Sequence, residues 1–164
     1  YYDNPDVNGD FAADPAWEAR NIIALTPPYP LFYPIEKLVN GKKIIAKREK
    51  KFRSLRVHWR CATSLERVLK EIPNRFSPED IKKYELDICG GAYNFRLMRS
   101  GASLSIHSWG AAIDLSHLIN SWKKKYVPNS VMMPKAVVDL FADEGWQWGG
   151  LWKTGDAMHF QATR

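Results

Sequence analysis

No apolar run in this 164-residue chain is long enough to cross a bilayer, which excludes a membrane-spanning helix. Only two cysteines are present, Cys61 and Cys89, too few for a disulfide framework and without metal-finger spacing. They read as two buried thiols or as one optional bridge, and neither reading fixes a redox compartment. There is no internal repeat, low-complexity tract or Pro/Gly-rich linker, so the length points to one domain over residues 1–164. Acidic residues are in deficit, 18 against 24 basic, which leaves a formal net charge of +6.

The basic excess is concentrated. Between Lys37 and Arg60 lie Lys42, Lys43, Lys47, Arg48, Lys50, Lys51, Arg53 and Arg56, with Glu49 as the single acid. Edge lysines discourage unwanted strand pairing, so a solvated basic hairpin is the first reading. Attraction to anionic polymers, such as those of a bacterial envelope, is the second. Phe52 and Trp59 interleave with cations, a pattern found on nucleic-acid surfaces, which makes nucleic-acid binding the third.

Residues 105–114 and 156–159 carry the chemistry. Ser105-Ile-His107-Ser-Trp-Gly110-Ala-Ala112-Ile-Asp114 and Asp156-Ala-Met-His159 offer two histidines and two carboxylates. Zinc takes imidazole nitrogen and carboxylate oxygen in a tetrahedral shell, and a hydrolase leaves the fourth position to water. A lone His or Asp is commonly a surface group or a satisfied core group. Here, however, Ile113-Asp114-Leu115 reads as a short buried strand whose carboxylate needs a partner, and a metal would serve. His107, Asp114 and His159 are therefore the candidate ligands of one zinc ion. His117, three residues past Asp114, offers an alternative ligand. His58 reads as a structural hydrogen-bonding group.

The pattern S-x-H-x-x-G-x-A-x-D, then Gly145-Trp146-Gln-Trp148-Gly149-Gly150-Leu-Trp152, then Asp156-Ala-Met-His159-Phe160 resembles the zinc peptidases that include D-alanyl-D-alanine carboxypeptidases and the L-alanyl-D-glutamate endopeptidases of phage lysins. The resemblance extends upstream through Gly90-Gly91-Ala-Tyr93-Asn-Phe-Arg96-Leu-Met-Arg99, and residues before about 55 are only weakly family-like. It implies zinc on His107, Asp114 and His159, with Asp156 as general base and Arg96 as oxyanion or substrate-carboxylate donor. Arg99 and Ser105 line up as further substrate contacts. Trp148 and Trp152 are cleft candidates, whereas Trp146 is assigned to packing. Aspartate rather than glutamate at the base position resembles the endopeptidase branch, which acts on the peptide stem of peptidoglycan. The runner-up is the D-alanyl-D-alanine carboxypeptidase, and a non-catalytic wall-binding or nucleic-acid module is the alternative of another class. A monomer is expected. No secretory leader is visible, although the chain begins at Tyr1 rather than Met. For a phage-type lysin that would imply cytoplasmic synthesis and action on the wall after the membrane is breached.

Local signals predict an α+β fold with helices packed on an antiparallel sheet, resembling the D-Ala-D-Ala carboxypeptidase/Hedgehog-like zinc peptidases. Asp14-Pro15 opens a helix through about Ala24. Tyr33–Val39 and Lys42–Ala46 form a hairpin about Asn40-Gly41. Leu65, Val68, Leu69 and Ile72 recur at helical spacing over about 61–72, and Ser77-Pro78 starts a short helix to Tyr84. Leu86–Tyr93 and Ala111–Ser116 read as strands, Pro134–Glu144 as a helix, and Gln147-Trp148 with Met158–Gln161 as the last strands. In an extended segment Asp156 and His159 would face opposite sides, so a bend about Gly155 must bring both to one place, with flexibility from Gly149-Gly150.

Overall fold

A computed structural model describes residues 2–99 and 101–163. It is α+β with antiparallel strand pairing in every named ladder. Among the described residues no helix is long and apolar enough to cross a membrane. The strands fall into three small sheets rather than one.

The first helix, α1 (Pro15–Asn21), is capped as expected: the Asp14 carboxylate accepts the Trp17 N–H at 2.6 Å. It stops at Asn21, not Ala24. β-branched Ile22 and Ile23 instead begin β1 (Ile22–Leu25), which pairs with β4 (Leu55–His58) from Ile22↔His58 to Leu25↔Leu55. This is a long-range ladder that no local signal specifies. β4 also takes the end of the basic stretch into the interior: Leu55 and Val57 are buried while Arg56 points out.

Between them lies the expected hairpin, β2 (Phe32–Val39) and β3 (Lys42–Lys51), turning at Asn40 and Gly41, both at positive φ. β3 runs five residues past Ala46. Its root is tied to the body by ion pairs of Arg48 with buried Asp87 and of Lys47 with buried Glu85.

Helix α2 (Trp59–Arg75) is longer than its apolar period, and its buried Leu65, Val68, Leu69 and Ile72 form the middle of the core. Its N-cap is His58, whose Nδ1 accepts the Arg60 N–H at 3.1 Å. Cys61 and Cys89 are buried free thiols, both pushed up to about 12 by burial. The short α3 (Pro78–Lys83) is capped by Ser77, and α4 (Lys135–Asp143) starts after Pro134 and buries Val137, Leu140 and Phe141.

The functional residues hang on the third sheet, ordered β5 (Cys89–Gly91), β6 (Ala112–Leu115), β8 (His159–Gln161), β7 (Gln147–Trp148). The strand expected over Leu86–Tyr93 shrinks to three residues, Cys89–Gly91, and a register irregularity falls between its two paired positions, Cys89↔Leu115 and Gly91↔Asp114. One face of this sheet packs Ile113 and Phe160 into the core, with Phe160 stacked on Phe141 at 3.9 Å between ring centres.

Candidate metal centre and cleft

Asp114 on β6 and His159 on β8 are direct partners across the ladder, as are Ile113 and Phe160. Opposed residues share a face and successive residues alternate. Hence the apolar pair goes into the core and the polar pair is presented together on the other face. His107 comes from a 3-10 turn, Ile106–Trp109, whose start is capped by Ser105. The turn closes at Gly110 with φ 66°, where a Cβ would lie 2.8 Å from the His58 nitrogen, so glycine is required there.

The three side chains meet closely. His107 Nε2 lies 3.2 Å from Asp114 Oδ1 and 3.2 Å from His159 Nδ1, and His159 Nδ1 lies 3.1 Å from Asp114 Oδ1. A tetrahedral zinc shell with bonds of ~2.0 Å spaces its ligands ~3.3 Å apart. The triangle is thus the size of one face of such a shell, and the three residues also form a potential metal-holding group by mutual proximity.

Second partners set the ring tautomers. His107 Nδ1 donates to the Ala92 carbonyl at 2.6 Å, which leaves Nε2 as a lone pair. His159 Nε2 donates to Gln161 Oε1 at 3.1 Å, which leaves Nδ1 as a lone pair. The Gln161 amide is itself oriented, since its nitrogen donates to Thr163 Oγ1 at 2.7 Å and Gln147 Oε1 at 3.3 Å. Two imidazole lone pairs and a carboxylate oxygen therefore converge, an arrangement that demands a cation or a shared proton. When protons take that place, burial would still raise the Asp114 carboxyl, but hydrogen bonding and charge from His107 and His159 hold it below the usual carboxylate range. Burial would lower His159, and Asp114 more than reverses that.

Asp114 and His159 of this cluster line a cleft of about 210 Å³, together with Arg96, Arg99, Ser105, Trp152 and Asp156. Asp156 enters it from a tight turn: its N–H bonds the Gly149 carbonyl, and its carbonyl accepts the His159 N–H at 3.1 Å. Gly155 at φ 59° makes the expected bend. Gly149 and Gly150, expected to lend flexibility, are instead sites of close packing. A Cβ on Gly149 would fall 2.6 Å from the Asp156 carbonyl oxygen, and one on Gly150 2.0 Å from the Trp148 ring. Asp156 Oδ1 is buried and, among the described residues, has no hydrogen-bond partner. Burial raises its carboxyl, the negative Asp114 adds to this, and His159, Arg99 and His107 partly offset it.

Arg96 lies in the cleft wall. Its backbone is pinned to Ser108, whose Oγ accepts the Arg96 N–H and donates to the Arg96 carbonyl, both at 2.9 Å, and its guanidinium reaches the Leu97 carbonyl. Arg99 lines the same wall with its guanidinium 5.4 Å from the Trp122 ring centre. Ser105 faces the cleft but its hydroxyl accepts the His107 N–H, so it serves the turn. The Trp152 ring stands 5.6 Å from His159.

Trp148 is placed elsewhere. Its indole N–H donates to the Ala157 carbonyl, and its ring packs on Tyr126 and Phe160 beside a separate groove. Trp146 is buried in the core, as expected. His117 is outside the triad, and burial lowers its imidazole. Sequence reasoning passed over Gln161, although period two on a strand already puts residue 161 on the face of His159. It also passed over Ala92, whose contribution is a backbone carbonyl and carries no side-chain signal.

Residues 99–162 match the family model described as D-alanyl-D-alanine carboxypeptidase, which supports the zinc peptidase family that the motifs resemble. The matched segment contains all three candidate ligands and Asp156, and it stops short of Arg96. No curated protein and no solved structure matches the chain.

Proposed function

We propose, from that family match, that the chain is a zinc peptidase cutting the peptide stem of peptidoglycan, and that it does so as an L-alanyl-D-glutamate endopeptidase. One observation carries the reading: three ligand atoms at tetrahedral spacing, two of them on residues that line the cleft, accompany a buried carboxylate oxygen in that cleft which has no hydrogen-bond partner among the described residues. Residues 1–164 act in this reading as a single catalytic domain of the D-Ala-D-Ala carboxypeptidase/Hedgehog-like type. The weakly family-like N-terminal part contributes to it, with Tyr2 donating to the Ala162 carbonyl at 2.8 Å.

Zinc held by His107, Asp114 and His159 would supply Lewis acidity and a bound water of lowered pKa. The chain's own groups do the rest. Asp156, its carboxyl raised by burial, takes at Oδ1 the proton of the water that attacks the stem carbonyl and returns it to the amine nitrogen as the C–N bond breaks. Arg96, permanently charged and anchored through Ser108, donates to the developing oxyanion or to a substrate carboxylate. Arg99 adds a second cation on the same wall, which suits a stem rich in carboxylates, and Trp152 packs against the bound peptide beside His159.

Aspartate at the base position favours the endopeptidase. The description of the matched family favours the alternative, a D-alanyl-D-alanine carboxypeptidase. Mass spectrometry of muropeptides after digestion of purified peptidoglycan by the zinc-loaded chain, with Asp156→Ala as control, separates the two. Stems cleaved after L-alanine establish the endopeptidase, and loss of only the terminal D-alanine establishes the carboxypeptidase. Unchanged muropeptides overturn both.

A further inference from the structure

The outer half of the β2–β3 hairpin has no part in the cleft and carries an unusual surface. Its register pairs Glu36 with Ile45, Lys37 with Ile44, Leu38 with Lys43 and Val39 with Lys42. These are four consecutive rungs, roughly 10 Å of ladder. Opposed residues share a face, so both faces mix aliphatic and charged groups. Leu38 is 74% exposed, Ile45 53%, Ile44 45% and Val39 44%. Three lysines stand among them against one acid, Glu36. Lys37 pairs with Glu49 and Lys43 lies 3.7 Å from Glu36, while Lys42 makes no ion pair among the described residues.

Each simpler explanation leaves something over. A solvated edge needs its lysines but has no use for four exposed aliphatic side chains. A soluble polyanion engages the lysines and leaves the aliphatics in water. A second copy paired edge to edge would set one lysine row against another. An interface that offers negative charge with an apolar layer directly beneath it satisfies both sets. Long lysine stems then lie along the apolar layer while their ammonium groups stay at the headgroups.

We propose that the tip of the β2–β3 hairpin docks on the surface of an anionic lipid bilayer, with Leu38, Val39, Ile44 and Ile45 in the headgroup layer and Lys42 and Lys43 on lipid phosphates. The docking is peripheral, and it is independent of the peptidase reading because none of these residues lines the cleft.

The test is co-sedimentation of the full chain with phosphatidylcholine vesicles, with and without phosphatidylglycerol, alongside binding to lipid-free polyglutamate. Of the two kinds of vesicle, binding is expected only to those containing phosphatidylglycerol, and the lysines should also give weaker binding to polyglutamate. K42E/K43E should lower partitioning about tenfold or more. L38N/I45N should do the same to vesicles, by returning two side chains to water, while leaving polyglutamate binding unchanged. Thermal melts identify a variant that fails to fold, in which case V39N/I44N takes its place. Absence of binding to anionic vesicles overturns the proposal. So does wild-type vesicle binding by the asparagine variants, which would reduce the hairpin to a polyanion-attracting surface.

Discussion

Gln161 Oε1 accepts the Nε2–H of His159 at 3.1 Å, from a position two residues along the same strand. That bond selects the tautomer whose Nδ1 faces His107 and Asp114, and Thr163 and Gln147 keep the amide from turning over. Gln161→Ala should therefore weaken zinc affinity about 10–100-fold. Gln161→Glu, which retains an acceptor, should restore most of it. Competition with a chromophoric chelator measures both, independently of turnover.

Asp156 stands apart from the ligand triangle, so removing its charge should separate chemistry from metal binding. Asp156→Asn is expected to lower turnover by about two orders of magnitude or more. Zinc content, measured by atomic absorption, should stay at one per chain. A variant that loses zinc would make Asp156 a ligand instead.

Metal removal should register in stability as well as activity. Ligand binding to the folded state stabilises by mass action, and the apo cluster leaves lone pairs facing one another. Chelation is expected to lower Tm, and added zinc to restore it. His159→Ala should melt at the same temperature with and without zinc.

Arg48 clamps the buried Asp87 carboxylate from the hairpin root, with Nε at 2.6 Å from Oδ2 and Nη2 at 2.9 Å from Oδ1. Removing the guanidinium strands a buried charge. Because the Arg48 side chain is a third exposed, Arg48→Ala should cost about 2–3 kcal/mol, somewhat below the ~3–5 kcal/mol of a fully buried pair. Urea denaturation measures this, and Arg48→Ala/Asp87→Asn should recover part of the loss.

His58 gives the chain an acid sensitivity away from the cleft. Burial first, and the charge of Arg60 second, push its imidazole down to about 4 from an ordinary value of 6.5. Its Nδ1 lone pair caps α2, so protonation removes the cap. The folded value is depressed, so the stability held by neutral His58 is complete above pH 6.5 and is lost as pH falls from there towards 4. Melts of the zinc-free chain should show Tm falling across that window. His58→Asn, which can still cap the helix, should flatten the fall.

The helices and the hairpin were largely legible because their signals are local. Asp14-Pro15, Ser77-Pro78 and Asn40-Gly41 each satisfy or turn a backbone within a few residues. Where a distant partner decided, local reading failed. The local signals run the first helix through about Ala24, whereas pairing with β4 makes Ile22–Leu25 a strand. Gly149-Gly150 looked like slack until Trp148 and Asp156 filled the space a Cβ would need. Trp148 looked like a cleft wall, yet its indole turns to Ala157 and Tyr126.

By itself the sequence determined which side chains could serve a metal and in what order, because His107, Asp114, Asp156 and His159 stand in spaced motifs whose donor chemistry is intrinsic to each residue. Only the tertiary structure decided that His107, Asp114 and His159 meet, and that Asp156 lines the same cleft as Asp114 and His159. The Asp114↔His159 register, the Gly110 turn that carries His107, and the Ala92 and Gln161 acceptors that choose the tautomers are long-range or backbone relationships. A strand's side chains alternate by rule, but which strand lies beside it, and in which register, is settled by burial of Ile113 and Phe160 in the common core.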